Sequence, residues 1–452
     1  MIKENKVNNI KMALVGLCSH YESGAQRYDA LIKSAVEEMS KVGIELVVTD
    51  GPVYSPSDAL AACDKFKAAG VQSIAVMDVT WVCDSLKYIF TKELELPTVF
   101  WAVPYTETFS IGCIQNYGSV LKAQGIHYEF VYGLPSESAV VAKVQNVAKA
   151  AYIVSRVKSM RLCLMGPRQT WRVGGPQDMT IEEWEFSRNL GPTIIHDELE
   201  VVIDAAKKIS DAEAEKVLES LKSRTGKSLC SKKTMLWMAK VYTATKAYVK
   251  ACGLDAVAAE CYPNYSGLMN LTSSWIADDG IIVDTEGDIA NTVLQFMLNM
   301  AAGSGACALG EVGSYDDSDG FLSLAHEGST AASLAENLDA IQISPSGDNG
   351  SFVGLPYRAF EKCTVCDFQG VNGKYQMMIA TGQTLPASHE EWVSGGEKLL
   401  VKLAVDGVQP SSVIKQMIDA GLHHHIVVKE GDWSDVMKMA CSFLGIAVVE
   451  LK

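Results

Sequence analysis

The sequence predicts an α/β protein: two Rossmann-like α/β domains with parallel sheets, followed by a mainly antiparallel, barrel-like β domain at the C-terminal end. Short apolar runs alternate with amphipathic helices twice, from Met12 and again from Arg161. That alternation predicts the parallel sheets, because strands covered on both faces read as unbroken apolar runs. After Met300 the texture changes to β-type runs separated by Gly, Asp, Asn and Ser, which predicts the third domain. The chain has 452 residues, more than one ordinary core holds, and the boundaries are set at 1–157, 158–302 and 303–452.

In the first domain the strand runs are Met12–Leu17, Glu45–Thr49, Ser73–Val79, Pro97–Val103 and His127–Tyr132. Tyr28, Ile32, Ala35, Val36 and Met39 recur at helical spacing within Arg27–Lys41 and give that helix a core face. A long helix, Ser138–Val157, leads out of the domain. The second domain opens with a strand at Arg161–Met165 and a loop from Gly166 to Gly175. Thr180 then starts a helix with Glu182 and Glu183 in its first turn, where negative charge suits the helix dipole. A strand at Thr193–His196, helices over Ala212–Leu221 and Thr234–Cys252, and the strand Ala256–Ala259 ending in Glu260 complete the series. Open α/β sheets bind ligands at the carboxyl ends of their strands, so Arg168, Trp171, Arg172 and Glu260 point toward a crevice. In the third domain Ala306–Tyr315, Phe321–His326, Asp339–Ile343, Ser351–Phe360, Lys374–Ile379 and Leu399–Ala404 read as strands. Two helices, Ser411–Ala420 and Trp433–Phe443, interrupt them, and Ile446–Leu451 is the closing strand.

Composition excludes several classes of function. Acidic residues outnumber basic ones by 54 to 39, and no Lys/Arg run supplies the basic footprint that nucleic acid requires. No apolar stretch reaches the roughly 18 residues needed to span a bilayer. The apolar run before Cys18 begins only at Met12, too short for a signal-peptide core of about 7–15 residues. The 12 scattered cysteines fit reduced thiols of a cytoplasmic protein, and Cys363-x-x-Cys366, without a second such pair, reads as two thiols on a β segment. A Walker loop, a dinucleotide fingerprint after the first strand and a G-x-S-x-G elbow are all missing, which disfavours nucleotide-dependent and serine-hydrolase chemistry. What is left is a protein that handles small molecules.

Chemistry-bearing residues concentrate where elements end. Ile281-Ile-Val-Asp-Thr-Glu286-Gly-Asp288 is an apolar run closing in acids just before a helix at Ile289–Asn299. Glu311 interrupts an apolar strand, His326 ends another, and His423-His424-His425 lies between a helix and an apolar run. Each has an ordinary reading. Glu286 and Asp288 suit the first turn of a solvated helix, Glu311 an outward strand position, His326 a hydrogen-bonded core, and the three histidines an exposed stretch. Taken together they form a mixed oxygen and nitrogen donor set that suits Mn²⁺, Fe²⁺, Co²⁺ or Zn²⁺.

At these residues the sequence resembles the L-fucose/L-arabinose isomerase superfamily, in particular its fucose-isomerase-like branch. Thr285-Glu286-Gly287-Asp288 resembles the turn bearing the first metal carboxylate, and Glu311 stands in the place of the second acid. Leu324-Ala325-His326-Glu327-Gly328 resembles the histidine segment, with Glu327 where a cysteine is usual. Gly421-Leu422-His423-His424-His425, followed by Gly431-Asp432, resembles the C-terminal histidine motif, and Gly166-Pro-Arg168 resembles the loop that opens the second domain.

The resemblance implies a divalent-metal-dependent aldose–ketose isomerase working through a cis-enediol(ate). Glu286 and Glu311 would be catalytic and metal-bound, with His326 and one C-terminal histidine completing the coordination. Counting forward from Gly421 selects His423 and His424, and counting back from Gly431-Asp432 selects His424 and His425, so His424 is favoured as the ligand. Arg168, Trp171, Arg172, Glu260, His423 and His425 would meet substrate, with Trp81 and Trp101 as a further wall. It also implies Mn²⁺ or a similar cation, a sugar substrate, and a homo-oligomer, trimer or hexamer, with sites at subunit contacts. The two arginines beside Trp171 keep an anionic sugar, sulfonated or phosphorylated, in view. The competing expectations are a sugar-binding or regulatory protein, and a metal-dependent sugar epimerase or aldolase.

Overall fold

The computed structural model describes residues 10–166, 181–262, 264–328, 330–347, 349–371 and 373–452. The described residues divide into two compact units, one of 10–156 together with 438–445, the other of 157–437 together with 446–452.

The first unit holds a five-stranded parallel sheet of β1 (Ile10–Leu17), β2 (Ile44–Val48), β3 (Ser73–Asp78), β4 (Thr98–Ala102) and β5 (Glu129–Tyr132), in the order β2-β1-β3-β4-β5. Every residue of β3 and β4 is buried, as expected for central strands covered on both faces, while the edge strands β2 and β5 each bury only one residue fully, Ile44 and Val131. Local sequence sets the helix starts. Before Pro56, Ser55 accepts from the Asp58 amide while the Asp58 carboxylate accepts from Ser55, and the helix Pro56–Ala69 begins there. Trp101 sits wholly inside with its indole N–H given to the Gly133 carbonyl, whereas Trp81 is partly exposed just beyond β3.

In the second unit a four-stranded parallel sheet runs in the order β10-β9-β6-β7, from β6 (Arg161–Met165), β7 (Thr193–Asp197), β9 (Ala256–Ala259) and β10 (Ile282–Asp284). A two-residue strand β8 (Lys227–Ser228) leaves this sheet and pairs with β13 (Gln342–Ser346). The remaining strands are β11 (Ala308–Asp316), β12 (Phe321–His326), β14 (Gly350–Pro356), β15 (Phe360–Val371), β16 (Lys374–Leu385), β17 (Leu399–Val405), β18 (His425–Glu430) and β19 (Ala447–Val449). Strands β16, β15, β18, β11, β12 and β17 pair successively, all antiparallel, and β17 pairs again with β16. Those six therefore close a barrel. Gly382 stands at the closing seam, where a Cβ would lie 2.3 Å from the Ala404 carbonyl oxygen, so no side chain fits.

The α/β class, the two parallel sheets and the mainly antiparallel third region are those the sequence predicts. Details differ. A further short helix, His389–Ser394, interrupts the β region, started by a Ser388–Glu391 capping box. Asp339 lies in a 3₁₀ turn, Leu338–Ala340, with the strand starting only at Gln342. The single run Ser351–Phe360 is divided between the end of β14 and the start of β15. The loop residues Arg168, Trp171 and Arg172, and Thr180, lie outside the described residues; the helix behind them, Glu183–Leu190, is capped by Glu182.

Candidate metal centre

Register brings distant residues together. Strand β11 is paired on one side with β18, which sets Glu311 opposite His425, and on the other with β12, which sets Glu311 opposite Ala325, the neighbour of His326. Glu286 arrives from the other layer: it follows β10 and forms an isolated bridge with Glu260, the residue after β9. Two parallel-strand ends and three barrel strands thus converge. Gly287 makes the turn possible, with φ of 77° and a Cβ position only 2.6 Å from Glu260 Cγ.

Glu286, Glu311, His326 and His425 each offer a donor atom, and these atoms all lie within 4.8 Å of one another. His425 Nε2 is 3.7 Å from Glu286 and 3.9 Å from Glu311, and His326 Nε2 is 3.6 Å from Glu286. His326 Nδ1 accepts the Gly328 amide at 2.8 Å. His425 Nδ1 bonds the Asp288 carboxylate at 2.9 Å, and Asp288 also caps the following helix through the Asn291 amide. Asp284, wholly buried, accepts the amides of Glu286 and Asp288 and so shapes the turn that carries the first acid.

The electrostatics of the group call for positive charge. Burial, reinforced by the charges of Asp284 and Glu311, pushes the Glu286 carboxyl up to about 8. Glu311 is held at about 2, chiefly by the His425 imidazole facing it and further by His326. Burial, with the neighbouring His425 charge, drives His326 down to about 3. His425 goes the other way: burial opposes its charge, but Asp288, Glu311 and Glu286 together raise it well above its usual value. Four carboxylates, those of Asp284, Glu286, Asp288 and Glu311, thus crowd two imidazoles, and protons supply the missing positive charge. A divalent cation would replace them. His425 Nε2, buried and without a hydrogen bond among the described residues, already faces the position such an ion would take. The donor set fits a divalent metal of borderline character, and the Asp288–His425 pair is the usual way of fixing a ligating imidazole.

The other expected site residues fall at different distances from this group. His424, favoured by counting, is half-exposed, with Nε2 3.9 Å from Glu311 Oε1 and its ring beside that of His425; it is not one of the four. His423 is buried 3.6 Å from the buried Asp367 of β15. Glu260 adjoins Glu286, as the bridge requires. Glu327 turns away and pairs with Lys398 at 2.7 Å. Asp284 and Asp367 are supports that sequence reasoning passed over, and Asp288 reads there as a first-turn acid and a member of the turn carrying Glu286, with no link to His425. An aspartate three residues before Asn291 at a helix start was the legible signal for Asp288 as a cap. Its bond to His425, across 137 positions, has no local signature.

No family model matches the chain. Among characterised proteins it is similar to the sulfoquinovose isomerase of Priestia aryabhattai, 20% identical over 392 residues that cover 84% of this chain and 85% of that one. The sulfoquinovose isomerase of Clostridium sp. (strain MSTE9) is 22% identical over 68% of each chain. That of Alkalicoccus urumqiensis is 20% identical over 90% of this chain and 94% of its own. Among solved structures, a periplasmic solute-binding protein of Actinobacillus succinogenes with bound D-allose covers 66% of this chain and 84% of its own, at 11% identity and a TM-score of 0.17, too low to relate the folds.

Proposed function

We propose that this protein is a divalent-metal-dependent aldose–ketose isomerase acting on a sulfonated sugar. The observation that carries the reading is the group Glu286, Glu311, His326 and His425, two carboxylates and two imidazoles drawn from two sheets onto one point. The isomerase activity and the sulfonated substrate are supported by sulfoquinovose isomerases that match over as much as 90% of this chain. Sulfoquinovose is an aldose whose terminal hydroxyl is replaced by sulfonate, so an enzyme for it needs a cation at the far end of the sugar. Arg168 and Arg172 are the proposed partners of that group.

A metal held by the four residues would supply Lewis-acid polarisation of the oxygens on the two sugar carbons that exchange oxidation state. The protein's own part is proton movement. Isomerisation shifts one proton between neighbouring carbons and another between their oxygens, by way of a cis-enediol. Glu311, ionised, and Glu286, which gives up its proton when a cation is bound, are the two carboxylates suited to carry the protons between the carbons and between the oxygens. Glu260, beside Glu286, meets a substrate hydroxyl, and half-exposed His424 lines the approach. Mn²⁺ is the proposed ion, and a trimer or hexamer the proposed assembly.

The test is turnover. Metal-stripped protein is assayed for aldose–ketose conversion of sulfoquinovose, neutral deoxyhexoses and pentoses, with Mn²⁺, Co²⁺, Fe²⁺ or Zn²⁺ restored, beside Glu311→Gln. Metal-dependent conversion that Glu311→Gln abolishes is expected. Full activity in EDTA, or an unaffected Glu311→Gln, would sink the reading, and equal turnover of neutral sugars would sink the sulfonate.

A further inference from the structure

The first unit contains a buried trio that the isomerase chemistry does not use. Lys87, on the helix Asp84–Leu94, has no solvent exposure, and neither does Asp78, the last residue of β3. The Lys87 ammonium does not make its closest contact with that carboxylate, 3.5 Å away, but with the sulfur of Cys113 on the helix Ser110–Ala123, at 2.6 Å. Ordinary N–H···O bonds average about 2.9 Å, and sulfur is the larger atom. A nitrogen and a sulfur this close match a pair with one light atom bonded between them. Two further facts hold the pair in place. Cys113 Sγ is fixed on its other side by the Val82 amide and carbonyl, at 3.3 and 3.2 Å, and the Cys113 carbonyl accepts a second contact from Lys87 Nζ at 3.2 Å. Neither oxygen of Asp78 accepts a hydrogen bond among the described residues, which leaves the carboxylate able to take a proton.

We infer that Lys87 and Cys113 are a modification site, joined under peroxide through a single oxygen as an Nζ–O–Sγ cross-link between the two helices. The chemistry balances with peroxide as the oxidant. A first peroxide breaks its O–O bond, oxidises the thiol to a sulfenic acid and leaves as water. Lys87 passes its ammonium proton to Asp78 and becomes an amine. A second peroxide then removes one hydrogen from the amine and one from the sulfenic hydroxyl, both leaving in two waters, as the N–O bond forms. Thiol reductants reverse the link. Burial keeps bulky oxidants away from the sulfur and favours its thiol form, pushing it up to about 11, so the reaction is slow and selects a small reagent.

The full-length protein, exposed at length to hydrogen peroxide and digested without reduction, tests this by peptide mass. The expected product joins the peptides bearing Lys87 and Cys113 with one oxygen gained and two hydrogens lost, and separates on treatment with dithiothreitol. It is absent from Cys113→Ser and from Lys87→Arg. Peptides joined without the added oxygen, a sulfinic or sulfonic Cys113 beside an unmodified Lys87, or two unmodified residues would each overturn the inference. The decisive readout is on the unsubstituted chain, so the test stands even where a variant fails to fold.

Discussion

Glu286, Glu311, His326 and His425 hold positions that chain order alone does not explain, and their supports are as specific as they are. Asp288 fixes the His425 ring by its Nδ1, so Asp288→Asn, which keeps a capping side chain for the helix, should lower Mn²⁺ affinity by about 10–100-fold. Titration calorimetry on metal-stripped protein checks this, and an unchanged affinity removes Asp288 from that role. Protons provide a second check. In the metal-free site the Glu286 carboxyl is raised to about 8, so at pH 7 it is protonated and a cation must displace that proton. Mn²⁺ uptake should therefore release protons below pH 8 and weaken as pH falls, a dependence read from calorimetry in buffers of differing ionisation enthalpy. Glu286, Glu311 and His326 stood out in the sequence because each ends or interrupts an apolar run. Among His423, His424 and His425 the sequence offers no such contrast. The outcome there is set by strand register, which puts His425 opposite Glu311 and leaves His424 half-exposed.

At the scale of elements, the strands legible in sequence are those whose apolar runs are bounded by clear turn residues. β6, β9 and β12 match their expected bounds residue for residue. The long hairpin β15–β16 was harder, because its polar and apolar positions do not alternate cleanly and Asp367 interrupts a buried stretch. A barrel-like domain was legible, but not the strand that closes it: closure comes from β17 meeting β16 as well as β12, whereas the final strand, expected to close it, is β19, which pairs parallel with β16 outside the ring. That seam is fragile at one point. Gly382→Val would drive a branched side chain into the Ala404 carbonyl, and a loss of about 1–3 kcal/mol is expected, read as a lower urea midpoint in equilibrium unfolding. A midpoint equal to that of the unsubstituted protein would show that the seam yields without cost.

For the whole molecule, the two compact units differ in what they hold: the four-donor group lies entirely in the unit of residues 157–437 and 446–452. A ligand stabilises only the part that binds it, by roughly 2.7 kcal/mol at a hundredfold excess over its dissociation constant. Scanning calorimetry with EDTA and then with Mn²⁺ should move the transition of that unit upward and leave the transition of the other unchanged. A uniform shift of both would show that the two unfold together. Among the described residues no helix is long and apolar enough to cross a membrane. The α/β class was legible because burial on both faces of a sheet leaves a continuous apolar signature, whereas the closed barrel leaves only short runs.

The place of β18 in the barrel has a consequence for biogenesis. It lies between β11 and β15, yet it is made after both, and it brings the last of the four donors. The gap it fills must stay open, or be wrongly closed, until residue 425 and its neighbours are available, and pairings between remote segments are the slow ones. Metal capture is then a clock for completed folding. In refolding by dilution, Mn²⁺ uptake should lag behind the recovery of helical signal and coincide with the burial of β18 against β11 and β15, read as protection of its amides from hydrogen exchange. Uptake that precedes that burial would mean that three donors, without β18, are enough to seize the ion.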